Sequence, residues 1–400
     1  MATKKQKVTN VPNLRFPGFE GDWYKKELSD FIDVITGIPL QSEDISEDKS
    51  GIPILRGINI TEGFIRHSKE IDRYYPKDKT TKINKYLLEK GDLVIGMDGS
   101  KVGKNAALIS QFDVGSILIQ RVARVRALGN ANTNYIFQKV FSKEFQNYVD
   151  VVNTSSGIPH ISLQQIKDFK TGFPPDLSEQ EKIAAFLTLI DERITTQNKI
   201  IEQLETLIKG LNEKLLMQEI RFKDENGADF PKWEKHGLGE LLNYDQPTKY
   251  LVDSTEYDDS YDVPVLTAGK TFILGYSNET HGIFSENLPV IIFDDFTTAL
   301  KFVNFPFKVK SSAMKILLPK KGVNIYYVFE AMKSIEYNIG GHERHWISKY
   351  SKIEISVPCS EEQTKIANFL LRVAEKIETE KGILRGYQHQ KQFLLTSLFI

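Results

Sequence analysis

Two long segments of the chain repeat apolar and polar positions with the period of a helix. In residues 183–215 and again in residues 366–398, apolar side chains recur in alternating steps of four and three. This seven-residue repeat predicts the seam of a coiled coil. Gln197 and Glu380 are polar at the same seam position of the two segments. A helix of about 40 residues is roughly 60 Å long, which exceeds what one compact domain requires.

The two helical segments are copies of one sequence. A shift of 183 residues places residues 179–200 on residues 362–383, with 11 of 22 positions identical and no gap. Weaker matches precede each copy in a constant order: Trp23 with Trp233, Tyr135 with Tyr327, Ile161 with Ile347, and Phe173-Pro174 with Val357-Pro358. The chain therefore uses one unit twice, a variable globular segment followed by a near-constant helix.

The apolar stripes of the two helices need a surface to cover them. Each helix could pack only on its own domain, but two copies in matching register favour an intramolecular coiled coil. The predicted coiled-coil and partner interface comprises Ile183, Phe186, Leu187, Ile190, Ile194, Ile201, Leu204, Ile366, Phe369, Leu370, Val373, Ile377 and Leu384. Ile200, Leu207 and Ile383 widen the stripe, so we expect a third surface to cover part of it.

The variable segments read as α+β domains. Short β-branched or apolar runs bounded by Gly, Pro, Asp or Asn predict strands at 92–95, 117–125, 290–293 and 315–318. Helices are predicted at 135–152 and 326–334. The predicted fold is two globular domains of mixed β-sheet and short helices, joined by two long helices as an internal pseudo-twofold repeat. The predicted boundaries are 1–175 for the first domain, 176–222 for its helix, 223–358 for the second domain and 359–400 for its helix.

Composition places the chain among folded proteins in water. It has 400 residues, 40% of them hydrophobic, and a single cysteine, Cys359, which excludes an internal disulfide. No cysteine or histidine spacing suits a metal, so no metal site is expected. The basic start at residues 1–10 has no apolar stretch behind it, and no apolar run is long enough to span a membrane. We expect a cytoplasmic protein with no membrane partner.

Charge is balanced overall but unevenly distributed. The chain has 52 basic and 53 acidic residues, for a net charge of −1. Residues 301–321 nevertheless hold six lysines and no acid, and residues 101–126 carry five bases against one acid. Such runs are often solvated faces of strands and loops, yet they also allow local basic surfaces on a neutral protein.

The candidate catalytic motifs in the sequence do not have the residue spacing that their chemistry requires. Residues 99–105 resemble a phosphate loop, but the first glycine is one residue too close and Asn105 replaces the Ser or Thr that would hold Mg²⁺. His342 and His345 are three residues apart rather than the four of a zinc-protease helix. No methyltransferase or nuclease motif is complete. We therefore expect no catalytic residues in this chain.

Several segments together resemble a known family. They are Arg15-Phe16-Pro17-Gly18-Phe19 with Trp23, the stretch Gly157 to Ser162, and above all the doubled E-Q-x-K-I-A-x-F-L at 179–187 and 362–370. Over essentially its whole length the chain resembles the specificity subunit of type I restriction-modification systems. The resemblance implies that two target-recognition domains each read one half of a bipartite site in double-stranded DNA. It also implies that the two helices form an antiparallel spacer.

The resemblance further implies a set of partners. The helices would dock two methyltransferase subunits, and a translocase-nuclease restriction subunit would join for cleavage. Adenine methylation with S-adenosylmethionine, and ATP-dependent cleavage with Mg²⁺, would belong to those partners, leaving this chain without a cofactor of its own.

Candidate DNA contacts follow from the basic stretches and from loop side chains that can bond base edges. In the first domain they are Ser100, Lys101, Lys104, Arg121, Arg124 and His160. In the second they are Lys301, Lys308, Lys310, Arg344 and His345. The second domain lacks the Gly-Ser-x-x-Gly loop of the first and has Asp294-Asp295 in that region. Two acids there would repel phosphate.

Two other functions stay open at this point. A coiled-coil adaptor would bind proteins at both ends and never touch DNA, which suits the balanced charge. A free-standing enzyme would need an unfamiliar active site, because no acid-base, nucleophile or metal constellation clusters in the sequence.

Overall fold

The computed structural model describes residues 10–77, 83–153, 157–267, 271–337 and 344–400. It divides into two compact units. Unit 1 comprises Met1–Asn198 with Gly382–Ile400, and unit 2 comprises Lys199–Lys381. The start of the chain at residues 1–9 and the pair His342 and Glu343 lie outside the described residues.

Unit 1 combines three small sheets with short helices. Its strands are β1 (Tyr24–Glu27), β2 (Ile32–Thr36), β3 (Ile52–Leu55), β4 (Arg73–Tyr75), β5 (Leu93–Gly96), β6 (Ala106–Leu108), β7 (Ile117–Leu118), β8 (Val122–Ala127) and β9 (Lys170–Phe173). The sheet orders are β1-β9, β2-β8-β5-β6 and β4-β3-β7. Its helices are α1 (Thr133–Val140), α2 (Lys143–Val152), α3 (Leu163–Asp168) and the first half of α4 (Leu177–Leu216).

Unit 2 repeats this plan. Its strands are β10 (Glu234–Gly237), β11 (Leu242–Asp245), β12 (Val263–Leu266), β13 (Ile273–Ser277), β14 (Val290–Asp294), β15 (Leu300–Val303), β16 (Lys308–Val309), β17 (Met314–Pro319) and β18 (Glu354–Val357). The sheet orders are β10-β18, β11-β17-β14-β15 and β13-β12-β16. Its helices are α5 (Leu238–Leu241), α6 (Ile325–Lys333), α7 (His345–Ser348) and the first part of α8 (Ser360–Ser397).

A two-stranded ribbon closes each variable segment. In unit 1, β1 pairs antiparallel with β9, and in unit 2, β10 pairs with β18 over the same four positions. Beside each ribbon, a tyrosine hydroxyl donates to a strand carbonyl, from Tyr135 to Gly172 and from Tyr327 to Ser356. Each tyrosine packs edge-on against a tryptophan, Trp23 or Trp233. The weak matches seen in the sequence are therefore the fixed frame of both domains.

The doubled Glu-Gln pair ties each long helix to its domain. The buried carboxylates of Glu179 and Glu362 accept two hydrogen bonds each, from the guanidinium groups of Arg15 and Arg221. These bonds raise the pKa of both arginines, and burial opposes the rise. Because a buried carboxylate is stable only when it is paired, the two ion pairs explain why the glutamate recurs.

The glutamine beside each glutamate holds a second helix. Gln180 accepts a hydrogen bond from the backbone N–H of Asn132, and Gln363 accepts one from Asn324. These two asparagines are the N-cap residues of α1 and α6, and their side chains accept from the first turn of each helix. The glutamines thus fix where the domain helices begin.

Each unit pairs half of α4 with half of α8 in opposite directions. In unit 1, Ile183 and Leu187 of α4 share a core with Leu394 and Leu395 of α8. In unit 2, the other end of α4, at Leu215, shares a core with the beginning of α8. The predicted seam residues Ile183, Leu187, Ile190, Ile201, Ile366, Leu370 and Ile377 are buried, and Phe186, Ile194, Leu204, Phe369, Val373 and Leu384 are half-buried.

Two predicted elements prove to be double. The run 117–125 is not one strand but β7 and β8, because Arg121 adopts a positive φ of 67° and turns the chain between them. The predicted helix 135–152 is broken into α1 and α2 at Ser142, whose side chain accepts from the N–H of Phe145 and starts the second helix. Among the described helices, none is both long and apolar enough to cross a membrane.

Candidate nucleic-acid interface

Three segments of unit 1 meet beyond the end of β5. The N–H of Met97 donates to the carbonyl of Arg121 at 3.0 Å, and the N–H of Gly99 donates to Pro159 at 3.0 Å. The N–H of Ile161 donates to the carbonyl of Met97 at 2.9 Å. The turn after β5, the turn between β7 and β8, and the loop before α3 are therefore locked together by main-chain bonds.

The backbone at this junction adopts conformations that few residues favour. Gly99 has a φ of +98°, which a side chain would strain. Arg121 has a positive φ without being glycine, which costs free energy and is maintained by the surrounding bonds. Such strain at an exposed turn is commonly found where a side chain must be presented in one direction.

Asp98 lies at the centre of the junction and binds two cationic or titratable side chains. Its Oδ2 is 3.1 Å from Nη1 of Arg121, and its Oδ1 is 2.5 Å from Nδ1 of His160. The side chain of Arg121 is 69% exposed and that of His160 is 47% exposed. We call Asp98, Arg121 and His160 the Asp98 cluster. It was missed as a unit because its members come from three separate segments.

An open depression of about 520 Å³ adjoins the Asp98 cluster. Its walls include Gly57, Ile58, Gln120 and Ile158. Ile58 and Ile158 are exposed large apolar side chains. The depression is therefore lined by apolar side chains together with the polar side chains of Asp98, Gln120 and Arg121.

The turn that follows carries the other predicted contacts of this domain. Ser100, Lys101 and Lys104 are all exposed. Lys101 forms an ion pair with Glu62 at 2.8 Å, and both side chains are largely in solvent. Exposed pairs of this kind contribute little to stability, so the lysine can exchange its carboxylate for a phosphate.

Arg124 does not belong to this surface. Its side chain is 7% exposed and donates to Asp33 at 2.7 Å. The prediction that it faces DNA is corrected, because the guanidinium lies inside the domain. Nearby Arg126 binds Asp92 through two hydrogen bonds, which raise the pKa of the arginine while burial opposes the rise.

The equivalent junction of unit 2 is built from buried groups. The N–H of Asp295 donates to Ala313, and the N–H of His345 donates to the Asp295 carbonyl at 3.0 Å. The Asp295 carboxylate accepts from the N–H of Trp346 and lies 3.5 Å from the buried amine of Lys315. Asp294 accepts backbone N–H bonds of its own turn. The two acids therefore serve the interior rather than repelling phosphate at the surface.

Two predicted contacts of unit 2 are also internal. Lys308 is fully buried, donates to the His281 carbonyl at 2.7 Å and pairs with Glu279 at 2.6 Å. Burial acts to raise the pKa of Glu279, but the Lys308 bond and two backbone N–H bonds outweigh it and lower the pKa. His345 is also buried, with Nδ1 3.1 Å from the Tyr337 hydroxyl. The expectation that Lys308 and His345 contact DNA is corrected accordingly.

The other three predicted residues of unit 2 are exposed on separate segments. Lys301 lies on β15, with its amine 5.6 Å from the ring centre of Phe272. Lys310 follows β16, and Arg344 is the residue that precedes α7. The exposed ring of Phe296 lies on the turn after Asp295.

One group of side chains in unit 2 has the composition of a metal site. Ligand atoms of Asp253, Glu279 and His281 lie within 4.8 Å of one another. Glu279, however, already pairs with the buried amine of Lys308, whose positive charge opposes a cation at that carboxylate. The group is better explained as the anchor of Lys308.

Comparison with known proteins identifies the class. The family model described as "Type I restriction modification DNA specificity domain" matches residues 20–206 and again residues 231–386. These matches cover most of the chain and follow its internal repeat. The chain belongs to this family of type I specificity proteins, which confirms the resemblance found in the sequence and gives no support to the adaptor alternative.

Individual relatives agree with the family. The EcoR124I/EcoR124II specificity subunit of Escherichia coli is 50% identical over 148 residues, 35% of this chain and 36% of that subunit. The similarity to it therefore spans about a third of its length. The putative MjaX specificity subunit of Methanocaldococcus jannaschii is 28% identical over an alignment of 428 residues, covering 99% of this chain and 95% of that protein.

Solved structures share the fold. The S subunit of a type I restriction-modification system from M. genitalium aligns with a TM-score of 0.67 and 17% identity, over 98% of this chain and 99% of that one. A chain from a study of assembly and conformational transition of the type I R-M system aligns with a TM-score of 0.52 and 14% identity, over 96% and 98%. The two-domain architecture with long helices is thus that of type I specificity subunits.

Proposed function

We propose that this chain is the DNA-recognition subunit of a type I restriction-modification complex, with residues 1–175 and 223–358 each reading one half of a bipartite site. The observation that carries the proposal is a repeated frame with unlike surfaces. The ribbons, the Glu-Arg pairs and the glutamine caps recur in both units. The junctions beyond β5 and β14 differ in nearly every exposed side chain, so we expect an asymmetric site.

The helical segments 176–222 and 359–400 hold the half-site spacing in this proposal. Spacing between half-sites follows the separation of the reading modules, and a continuous 40-residue helix such as α4 is a stiff connector. Exposed apolar side chains on α4 and α8 support docking of two methyltransferase subunits. They are Leu189, Ile200, Leu207, Ile383 and Phe393.

Chemistry belongs to the partners. Methylation of adenine by S-adenosylmethionine would be carried out by the methyltransferase subunits, after the target base leaves the stack. Cleavage would need a translocase-nuclease subunit with ATP and Mg²⁺. In this proposal the present chain binds and positions DNA and holds no cofactor.

The DNA contacts proposed for phosphate are the exposed lysines. In unit 1 these are Lys101 and Lys104, and in unit 2 they are Lys301 and Lys310. Ser100 and Arg344 are also exposed and are proposed as further polar contacts. Exposure of these side chains supports the assignment, since phosphate contacts, which set register, are made at the surface.

The test is to co-express the chain with its methyltransferase subunit in a host that lacks adenine methylation, and to map modified adenines by single-molecule sequencing. The proposal predicts methylation within an asymmetric two-part motif with one fixed gap. A stable purified complex that methylates no adenine, or methylates a continuous motif, would contradict it.

A further inference from the structure

We infer that the Asp98 cluster of unit 1 reads a guanine, with Arg121 as the residue that contacts the base and Asp98 as a positioning residue. This inference rests on the proposed function and deepens it, because it assigns one base class to one side chain. It uses only the geometry of the junction beyond β5.

Arg121 is both exposed and oriented. Its Nη1 lies 3.1 Å from Oδ2 of Asp98, and 69% of the side chain faces solvent. The backbone of Arg121 is fixed as well, since its carbonyl accepts from Met97 and its φ is +67°. A guanidinium held at one nitrogen can direct its remaining N–H groups outward with little loss of side-chain entropy.

The arginine side chain also fits the hydrogen-bonding groups of guanine. Guanine presents two acceptors, O6 and N7, side by side in the major groove, and the arginine fork matches them with two hydrogen bonds. The other bases offer no such pair of acceptors on that edge. A lysine at this position would place only a point charge there.

The surroundings of Arg121 suit a base better than a phosphate. Asp98 neutralises the charge of Arg121 locally and would repel a phosphate brought to the same place. The exposed side chains of Ile58 and Ile158 also line the depression, and they suit base edges or a thymine methyl group rather than the charged backbone. Phosphate contacts are better provided by Lys101 and Lys104 on the following turn.

His160 completes the cluster. Its Nδ1 bonds the Asp98 carboxylate, so this nitrogen carries the proton and the ring orientation is fixed. Its other nitrogen remains available to a neighbouring base, because nearly half of the side chain is exposed. The carboxylate therefore orients two reading groups at once.

The same two strands provide a matched control at their other end. Arg126 on β8 binds Asp92, just before β5, through Nε and Nη2 at 2.5 and 2.9 Å. Here the carboxylate is 3% exposed and the arginine 32% exposed, so the fork is already occupied. This pair has the residues of the Asp98 cluster but is structural.

The experiment maps methylated adenines for the complex carrying Arg121→Ala, Arg121→Gly, Asp98→Asn or Arg126→Lys. The glycine variant removes the side chain while suiting the positive φ, so it folds even if alanine is strained. For both Arg121 variants we expect discrimination for guanine at one position of one half-site to fall about 5- to 150-fold. The other half-site and the gap should not change.

The remaining variants distinguish positioning from folding. Asp98→Asn should weaken the same guanine preference to a smaller extent, and Arg126→Lys should lower thermal stability without changing the motif. Retention of the full motif by Arg121→Gly, or a uniform loss of methylation at all sites, would overturn the inference. Failure of the proposed function would be visible separately, as a wild-type complex without a two-part motif.

Discussion

The junction beyond β5 in unit 1 and the junction beyond β14 in unit 2 occupy the same place in the fold but differ in character. In unit 1 the carboxylate of Asp98 lies near the surface and holds two exposed side chains. In unit 2 the carboxylate of Asp295 is buried and holds the backbone of Trp346 and the amine of Lys315. An acid near the end of the central strand holds exposed side chains in one unit and buried groups in the other.

The difference shows which parts of the unit are free to vary. Everything that fastens the variable segment to its helix is repeated, from the ribbon to the buried Glu-Arg pair. The exposed side chains beyond the central strands do not fasten the variable segment to its helix. Each unit can therefore present a different surface on the same repeated frame.

The largest expected effect comes from the repeated glutamates. Glu179→Ala or Glu362→Ala removes a buried carboxylate and both of its hydrogen bonds to a partly exposed arginine. This should lower the free energy of unfolding by about 3 kcal/mol, since each hydrogen bond to a charged group contributes about 1.5 kcal/mol or more. The loss of stability should be larger for Glu362→Ala than for Glu179→Ala. Glu362 also accepts a hydrogen bond from the indole N–H of Trp233 at 2.9 Å, whereas the indole N–H of Trp23 has no hydrogen-bond partner. Urea denaturation measures both, with the exposed Glu181→Ala as control. A loss of stability in only one of the two glutamate variants would contradict the equivalence of the two Glu-Arg pairs.

The next effect separates interior from surface lysines in unit 2. Lys308→Met breaks the ion pair with Glu279 and should destabilise the protein by about 2 kcal/mol, because the largely buried carboxylate then keeps only its two backbone N–H bonds. Lys310→Ala, two residues away and exposed, should leave stability within about 0.5 kcal/mol. Denaturation curves compare the two variants. Equal stability of both would show that Lys308 is not an internal residue.

A smaller effect depends on pH and belongs to unit 1 alone. Burial lowers the pKa of Lys139 to about 8, and its sequence counterpart in unit 2 is Ala331. Between pH 8 and 10.5 the unfolded lysine binds more protons than the folded one, so stability should rise with pH by up to about 1.4 kcal/mol per unit. The rise should be absent from Lys139→Met. Parallel pH profiles for wild type and variant would contradict the assignment.

The smallest effects concern phosphate contacts. Lys101→Ala and Lys310→Ala should each reduce the slope of log affinity against log salt by about 0.9, without changing the preferred sequence. Binding of the complex to a duplex carrying its motif, measured across salt concentrations, tests this. Lys308→Met is the matched control and should leave the slope unchanged. An unchanged slope for Lys101→Ala would remove that lysine from the interface.

Much of the frame was predictable from the sequence. The two helices are marked by heptad periodicity, and the doubled Glu-Gln segment and the paired tryptophans mark positions whose contacts recur. Heptad periodicity shows which side of one helix is buried, and a sequence repeat shows that two segments have the same surroundings. Both kinds of prediction therefore agree with the structure. The break between β7 and β8 was harder to predict, because the turn at Arg121 accepts a hydrogen bond from Met97 in another segment.

Exposed charged residues were less predictable, because a run of basic residues in the sequence does not show which acidic side chains lie near it in the fold. Lys308 belongs to a basic run, but its acid, Glu279, is 29 residues away and reaches it only through the fold. Arg124 has its partner Asp33 on a neighbouring strand, 91 residues earlier. The sequence did not single out Asp98, although in the structure it binds the exposed side chains of Arg121 and His160.

The most direct test of the account exchanges one variable segment for the other. Residues 28–169 would be replaced by residues 238–353, with both junctions at the closing ribbons, where β1-β9 and β10-β18 have the same register. Methylated adenines would then be mapped for the complex containing this chimaera. The account predicts a symmetric motif in which both halves carry the sequence read by unit 2. A chimaera that assembles with its methyltransferase yet still methylates the original asymmetric motif would contradict it.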